Sequence, residues 1–238
     1  VLGAFLLIGL SALYYAWFVM RIPHLTVTRT NYRALFRQYA RTIATTVLLS
    51  LGIFIVGIGI VLTFSRIAWV LAAGISLLAV FYLLFFPEYR RQSLKLIVVL
   101  LAVGFWLQML FAPFVGSRAH VSWSEPSVVE RISYNRLGVT LIKKHPQGMG
   151  IGNQVLRAVY DGDYLRAGMK DSRLWQPIHN TYLLIGAEVG FLGLAAFLVF
   201  IAQLVITSWG LTNPLLRIIA YQLFTIVLLF SFFNHFFW

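Results

Sequence analysis

The sequence predicts an all-α fold, a polytopic integral membrane bundle of about six transmembrane helices with a long, partly helical extracytoplasmic loop. Three observations lead there. Of the 238 residues, 60% are hydrophobic and only 11% charged, too few for the polar surface a soluble domain of this length needs. The apolar residues gather into stretches of about 20, each long enough at 1.5 Å per residue for roughly 30 Å of hydrocarbon. Between the fourth and fifth stretch lies a segment, 116–176, that holds most of the acidic residues.

The expected spans cover residues 1–20, 42–63, 67–86, 94–115, 181–208 and 218–238. The last is poorer in unambiguous apolar content towards its end. The whole chain, 1–238, reads as a single membrane domain without internal repeats, low-complexity tracts or flexible linkers. Its first segment has no basic flank before it and no small-residue cleavage pattern after it, so it reads as a span and not a signal peptide. The chain begins at Val1 and stops at Trp238, both inside apolar runs, as expected of a fragment of a longer membrane protein. Zero cysteines exclude disulfides and thiolate metal sites.

A formal net charge of +12 would suit nucleic acid, but in a membrane protein basic residues mark cytoplasmic loops. No nucleic-acid partner is expected. The stretch from Arg21 to Arg41 carries five arginines and no acid, and "PEYRRQSLK" sets Arg90, Arg91 and Lys95 against Glu88. Placing both inside puts Arg66, the segment 116–176 and Asn234-His235 outside, and returns Arg217 to the inside. The orientation is self-consistent.

The outer segment departs from the charge rule. It holds nine Lys and Arg against five Asp and Glu, and loops of this length escape topology control. Its positive excess points to an anionic ligand. Within it, Ser127–Lys144 reads as a helix, with Ser127 as cap, Glu130 as capping-box partner and Lys143-Lys144 at the C-terminal dipole. Val128, Ile132, Val139 and Ile142 fall on one face. "HPQGMGIGN" then ends the helix with Pro146, Gly148, Gly150 and Gly152. Short helices lying on the membrane are expected in the remainder, because a structureless loop of this length is uncommon.

Few residues can carry chemistry in such a chain. Arg66 is the only charge between Thr42 and Phe86. It reads either as an interfacial arginine snorkelling to headgroups or as a guanidinium at a cavity mouth, where phosphate is the natural bidentate partner. His179 and Asn180 stand where the chain re-enters the membrane. A positive helix end and nearby arginines favour the neutral imidazole that a general base must be. Asn180 then either orients the ring or caps the helix. Glu188 falls about 13 Å further along the helix, on its opposite face, and reads as a buried ion pair or polar packing contact. Gly186, Gly190 and Gly193 read as a small-residue face for close helix approach. "GMGIGN" lacks the strand and lysine of a phosphate loop. His120, His145 and Asp161 to Asp163 are too scattered for a metal site, and no cofactor is expected.

Four segments, "FSRIAWVLA", "VVERISYNRLGVTLIKKHPQGMGIGN", "HNTYLLIGAEVGFLG" and "NHFFW", together resemble in order and topology the O-antigen ligase and O-antigen polymerase family. His179-Asn180 followed by Gly190 and Gly193 is similar to that family's histidine motif, and "KKHPQGMGIGN" to its glycine-rich signature. The resemblance covers roughly 64–238. It departs at Val70, where the family prefers leucine, and at Asn234, where a carboxylate is more usual.

The resemblance implies a multi-pass enzyme of the bacterial cytoplasmic (inner) membrane with its active site facing the periplasm. It would transfer a glycan from a polyprenyl diphosphate carrier to an acceptor hydroxyl, with lipid A–core the expected acceptor, and would need neither metal nor nucleotide. Arg66 and Arg131, with Arg136 beside them, are then expected to contact the diphosphate, and His179, oriented by Asn180, to act as base. Besides membrane lipids, the partners would be the lipid-linked donor and the glycan acceptor. The alternatives are an O-antigen polymerase, a protein O-oligosaccharyltransferase and, more distantly, a transporter.

Overall fold

The computed structural model describes residues 2–20, 32–119 and 125–234. Arg21, Arg29, His120 and His235 therefore lie outside the described residues. Nine α-helices are described: α1 (Leu2–Val19), α2 (Tyr32–Leu62), α3 (Arg66–Leu84), α4 (Pro87–Ala119), α5 (Pro126–Lys144), α6 (Gln154–Tyr160), α7 (Asp163–Arg166), α8 (Thr181–Trp209) and α9 (Pro214–Ser231). No strand occurs among the described residues. Six of the helices, α1 to α4, α8 and α9, are long and apolar enough to cross a membrane. The chain divides into two compact units, Leu2–Ala119 with Leu211–Ile226, and His120–Gly210 with Val227–Trp238.

The first unit joins α1 to α4 with the start of α9. Several of its polar side chains bond to one another or to main-chain carbonyls across helices, as lipid favours. The buried Tyr14 hydroxyl meets Ser76 Oγ at 2.5 Å, Trp17 Nε1 donates to the Gln92 carbonyl at 3.1 Å, and Gln222 Nε2 donates to the Ile75 carbonyl at 2.7 Å. Such interhelical bonds contribute about 0.6–2 kcal/mol each in a bilayer. At Gly57 a Cβ would come within 2.9 Å of Leu107 Cδ1, so glycine there lets α4 approach α2. Elsewhere α2 and α4 expose large apolar side chains, Leu48, Leu51, Val98 and Leu101 among them, as suits helices long and apolar enough to cross a membrane.

The basic stretch "PEYRRQSLK" is helical from Pro87 on, not a loop. Pro87 suits the first helical position and Glu88 the positive dipole end, so α4 extends beyond its apolar stretch.

The second unit contains α5 to α8, a 3₁₀ turn at Ser172–Leu174 and the residues that follow Ile226. Its core gathers Tyr134, Leu137, Leu141, Met149, Ala158, Tyr164, Met169, Ile178, Leu184 and Ala187. Burying each of the large apolar side chains contributes about 1.5–3 kcal/mol. The face that α5 buries is Tyr134, Leu137, Gly138 and Leu141. That is not the Val128, Ile132, Val139 and Ile142 stripe, of which Ile132 and Val139 are exposed. The two faces lie about a third of a turn apart on the helix. The buried one is harder to see because it includes a tyrosine and a glycine. At Gly138 a Cβ would stand 3.0 Å from Leu183 Cβ, and at Gly186 one would stand 2.7 Å from Ile142 Cδ1. These two glycines allow α5 and α8 to close on each other.

The start of α5 also differs from expectation. Pro126 occupies its first turn, Glu125 is the N-cap without a side-chain cap bond, and Ser127 Oγ instead donates to Glu125 Oε1 at 3.0 Å. The helix begins one residue before Ser127, so Ser127 lies inside its first turn and not at the N-cap position.

Candidate functional site

The site is built on the strap that leads into α8. Tyr134 Oη donates to the Leu174 carbonyl at 2.6 Å, and Tyr164 Oη to the Gln176 carbonyl at 2.5 Å. Gln154, fully buried, donates from Nε2 to Tyr164 Oη at 3.2 Å and accepts from the Ile178 amide at 3.3 Å through Oε1. Residues 174–178 are thus held by three side chains from α5, α6 and α7. Burial pushes the Tyr134 phenol up, with the charge of Glu130 adding to it, and pushes Tyr164 up to about 12. Both hydroxyls therefore keep their protons and serve as donors.

His179 follows directly. Its Nδ1 lies 2.8 Å from the Pro177 carbonyl. A carbonyl only accepts, so Nδ1 carries the hydrogen and the neutral ring has its lone pair on Nε2. The imidazole stacks on the Tyr134 ring, centroids 4.8 Å apart and planes 3° from parallel. One nitrogen and one ring face are both specified by the protein, which is how a proton acceptor is aimed.

Asn180 caps α8. Its Oδ1 accepts from the Tyr182 and Leu183 amides at 3.1 and 3.2 Å, satisfying two of the orphan donors of a helix start. Of the two roles foreseen for it, this is the one the geometry displays, and it fixes the backbone that presents His179. The buried Thr181 donates from Oγ1 to the Asn234 carbonyl at 2.7 Å, and its amide does so at 3.2 Å. The main chain of Asn234, not its side chain, makes that tie, so the carboxylate missing here is not needed for it. The adjacent Phe233 ring faces the Arg131 guanidinium at 5.5 Å, a cation–π contact. Arg131 is also one helical turn before Tyr134 and lies along the same edge of α5.

Arg136 is not gathered into this group. Five residues from Arg131, it projects roughly 140° away around α5 and is exposed. Arg66 belongs to the first unit. It opens α3 behind a Ser65 cap that accepts from the Ala68 amide at 3.4 Å, and its Nε donates to the Arg118 carbonyl at 2.7 Å.

Glu188 lies in the core of this unit. It is buried, and its Oε1 accepts from the Gln154 amide at 3.3 Å. The reason is a break in α8 at Gly190, whose φ of 81° and ψ of −179° are non-helical. The loop "HPQGMGIGN" docks against the break. The Met149 amide donates to the Ala187 carbonyl, that of Gly150 to Glu188 and that of Phe191 to Pro146, each at 2.9 Å. Gly190 therefore seats a loop and not a second helix, and the atoms nearest to a Cβ on Gly193 would be those of Val189 in its own helix. Of the three small residues, Gly186 alone serves helix approach.

Tyr134, Gln154 and Thr181 escaped the sequence reading. The i, i+3, i+4, i+7 spacing of Tyr134, Leu137, Gly138 and Leu141 was the available sign for the first. Among the described residues, no group of three or more His, Asp or Glu side chains is placed to share an ion.

A profile of a family described as O-antigen ligase matches residues 51–198. No curated protein and no solved structure matches the chain. The matched span includes α5, the glycine-rich loop and the start of α8, and with them Arg66, Arg131, Arg136, His179 and Asn180.

Proposed function

Starting from the chain's membership of the O-antigen ligase family, a family of membrane glycosyltransferases, we propose that it transfers a glycan from a polyprenyl diphosphate carrier to an acceptor hydroxyl. Lipid A–core is the proposed acceptor, and the reaction is placed on the periplasmic side of the cytoplasmic membrane. The observation that carries the reading is the His179 Nδ1 to Pro177 carbonyl bond, which puts the basic lone pair on Nε2.

In the proposed reaction Nε2 takes the proton of the acceptor hydroxyl as that oxygen attacks the anomeric carbon. The new glycosidic C–O bond forms while the bond from that carbon to the diphosphate oxygen breaks. Polyprenyl diphosphate leaves with the bonding pair. Pro177 and the Tyr134 face hold the imidazolium that results, and its proton returns to solvent between turnovers. A positioned base of this kind contributes about 10² to 10⁴ in rate. The leaving diphosphate gains charge and needs guanidinium partners. Arg131, beside the Tyr134–His179 stack, is the first candidate, and Arg66 and Arg136 are further ones.

The test is direct. Purified protein would be incubated with a polyprenyl diphosphate-linked glycan and lipid A–core, and the products identified by mass. A glycan joined to lipid A–core supports the reading. Glycan lengthened on its own carrier would mark a polymerase, and modified protein hydroxyls a protein O-oligosaccharyltransferase. No transfer to any acceptor would overturn it.

A further inference from the structure

A second feature of the same unit is unused by this chemistry. At the C-terminal end of α5 a cavity of about 580 Å³ is lined by His145, Leu156, Arg157, Tyr160 and Asp161, within the size range of ligand pockets. Tyr160 is 92% exposed and Leu156 70% exposed, so an aromatic ring and an aliphatic side chain stand open beside charged groups. His145 Nε2 is buried with no hydrogen-bond partner among the described residues. It lies 3.9 Å from Asp161 Oδ2, too far for a direct bond and close enough for one ligand oxygen to reach both. Lys144 hydrogen-bonds Asp161 and holds its carboxyl below the ordinary value, so the carboxylate stays an acceptor. A buried nitrogen left unpaired costs about 1–3 kcal/mol, which a ligand hydroxyl would recover.

We propose that this cavity is a saccharide subsite, holding a sugar unit of a glycan at a distance from its reacting end. The Tyr160 ring lies against the C–H face of the sugar, while Asp161, Arg157 and His145 Nε2 engage its hydroxyls. The position fits. Tyr134, on which His179 stacks, and His145 are about 16 Å apart along α5 at 1.5 Å per residue, so a glycan of several units could touch both. Binding at a remote unit is how an enzyme orients a long substrate at its reacting centre. Lipid acyl chains would suit Leu156 and Tyr160, but would leave the imidazole nitrogen unpaired and set hydrocarbon against the Asp161 carboxylate and the Arg157 guanidinium.

This subsite rests on the glycan-transfer reading, and its test needs no turnover. Lipid-free oligosaccharides, one cut from the lipid A–core acceptor and one released from the donor, are titrated into the purified protein and followed by saturation-transfer NMR. Binding of one of them should weaken tenfold or more in Tyr160→Ala and in Arg157→Ala, and stay within threefold of the native value in Tyr160→Phe. The oligosaccharide that responds identifies the source. Tyr160 and Arg157 are exposed, so neither change threatens the core, and circular dichroism checks it. Native binding of neither oligosaccharide, or equal binding in Tyr160→Ala, overturns the proposal. So does quenching of a Tyr160→Trp variant by brominated lipid, which would place the residue in the membrane. A protein that binds and discriminates in this way but transfers nothing would refute the transfer reading and leave the subsite standing.

Discussion

The backbone segments that carry Gly148 and Gly190 fill the space of each other's missing side chains. A Cβ on Gly190 would come within 2.5 Å of the Gln147 carbonyl carbon, and one on Gly148 within 2.6 Å of the Gly190 amide nitrogen. Both residues have φ near +85°, at 88° and 81°. For Gly190 the ψ of −179° defines a region that costs other residues about 1–3 kcal/mol before any clash. Gly148→Ala and Gly190→Ala should therefore each lower the melting temperature or abolish folded yield. Gly74→Ala is the control, because nothing lies within 4 Å of a Cβ there. It should be neutral or stabilising by up to about 1 kcal/mol. Native melting in Gly190→Ala would mean that the loop does not seat as described.

His179→Gln keeps a hydrogen-bonding side chain but offers no titratable lone pair. Turnover should fall by about 10² to 10⁴, with donor binding within a few-fold of native. Tyr134→Phe keeps the stacked ring and loses the bond to Leu174, so it should cost stability, about 1 kcal/mol for a half-buried hydrogen bond, and little turnover. Single-turnover kinetics with a binding assay separate the two. Equal transfer by His179→Gln would assign the base elsewhere.

Arg66→Lys retains the charge and removes the planar fork that binds two oxygens at once. If Arg66 holds diphosphate, transfer should drop tenfold or more, the roughly 1–3 kcal/mol of a charge-assisted bond. If its work is the Arg118 carbonyl bond alone, the variant melts earlier and turns over normally. Melting curves and initial rates on one preparation decide between these.

The Lys144 cluster predicts a pH dependence of stability. Hydrogen bonding to Lys144 lowers the Asp161 carboxyl from its ordinary 3.8, and bonding to Asp161 raises the Lys144 ammonium from 10.5. A lowered acid contributes stability above its unfolded value and loses it as pH falls through the folded one. A raised base contributes below 10.5 and loses it as pH rises past that value. The contribution should thus be constant through neutrality and fade in acid and in strong alkali. Exposure and salt keep it small. Lys144→Met should remove the acid limb attributable to Asp161, measured as melting temperature against pH.

Sidedness is testable by labelling. A cysteine at the exposed Ser172 should react with a membrane-impermeant thiol reagent in intact cells, and one at the exposed Arg91 should not, because the proposed orientation makes α4, long and apolar enough to span, a single crossing between them. The reverse pattern would place the His179 unit in the cytoplasm.

The fold class and six spans were legible because membrane insertion is a local property. About 20 apolar residues satisfy it whatever they later touch. Arg66, His179 and Asn180 stood out for the same reason, as polar residues where lipid tolerates few. What the tertiary structure alone decided is everything that depends on a partner distant in sequence. Which face α5 buries follows from Gly138 and Gly186 meeting α8. Glu188 reads in the sequence as a buried ion pair or polar packing contact, but its partner, the Gln154 amide, and the helix break at Gly190 beside it come only from the fold. The tautomer of His179 rests on a carbonyl two residues away, yet the strap that holds that carbonyl depends on Tyr134, Tyr164 and Gln154. Hydropathy sums one segment at a time, whereas a hydrogen bond or a close approach needs two surfaces brought together. Only folding supplies the second.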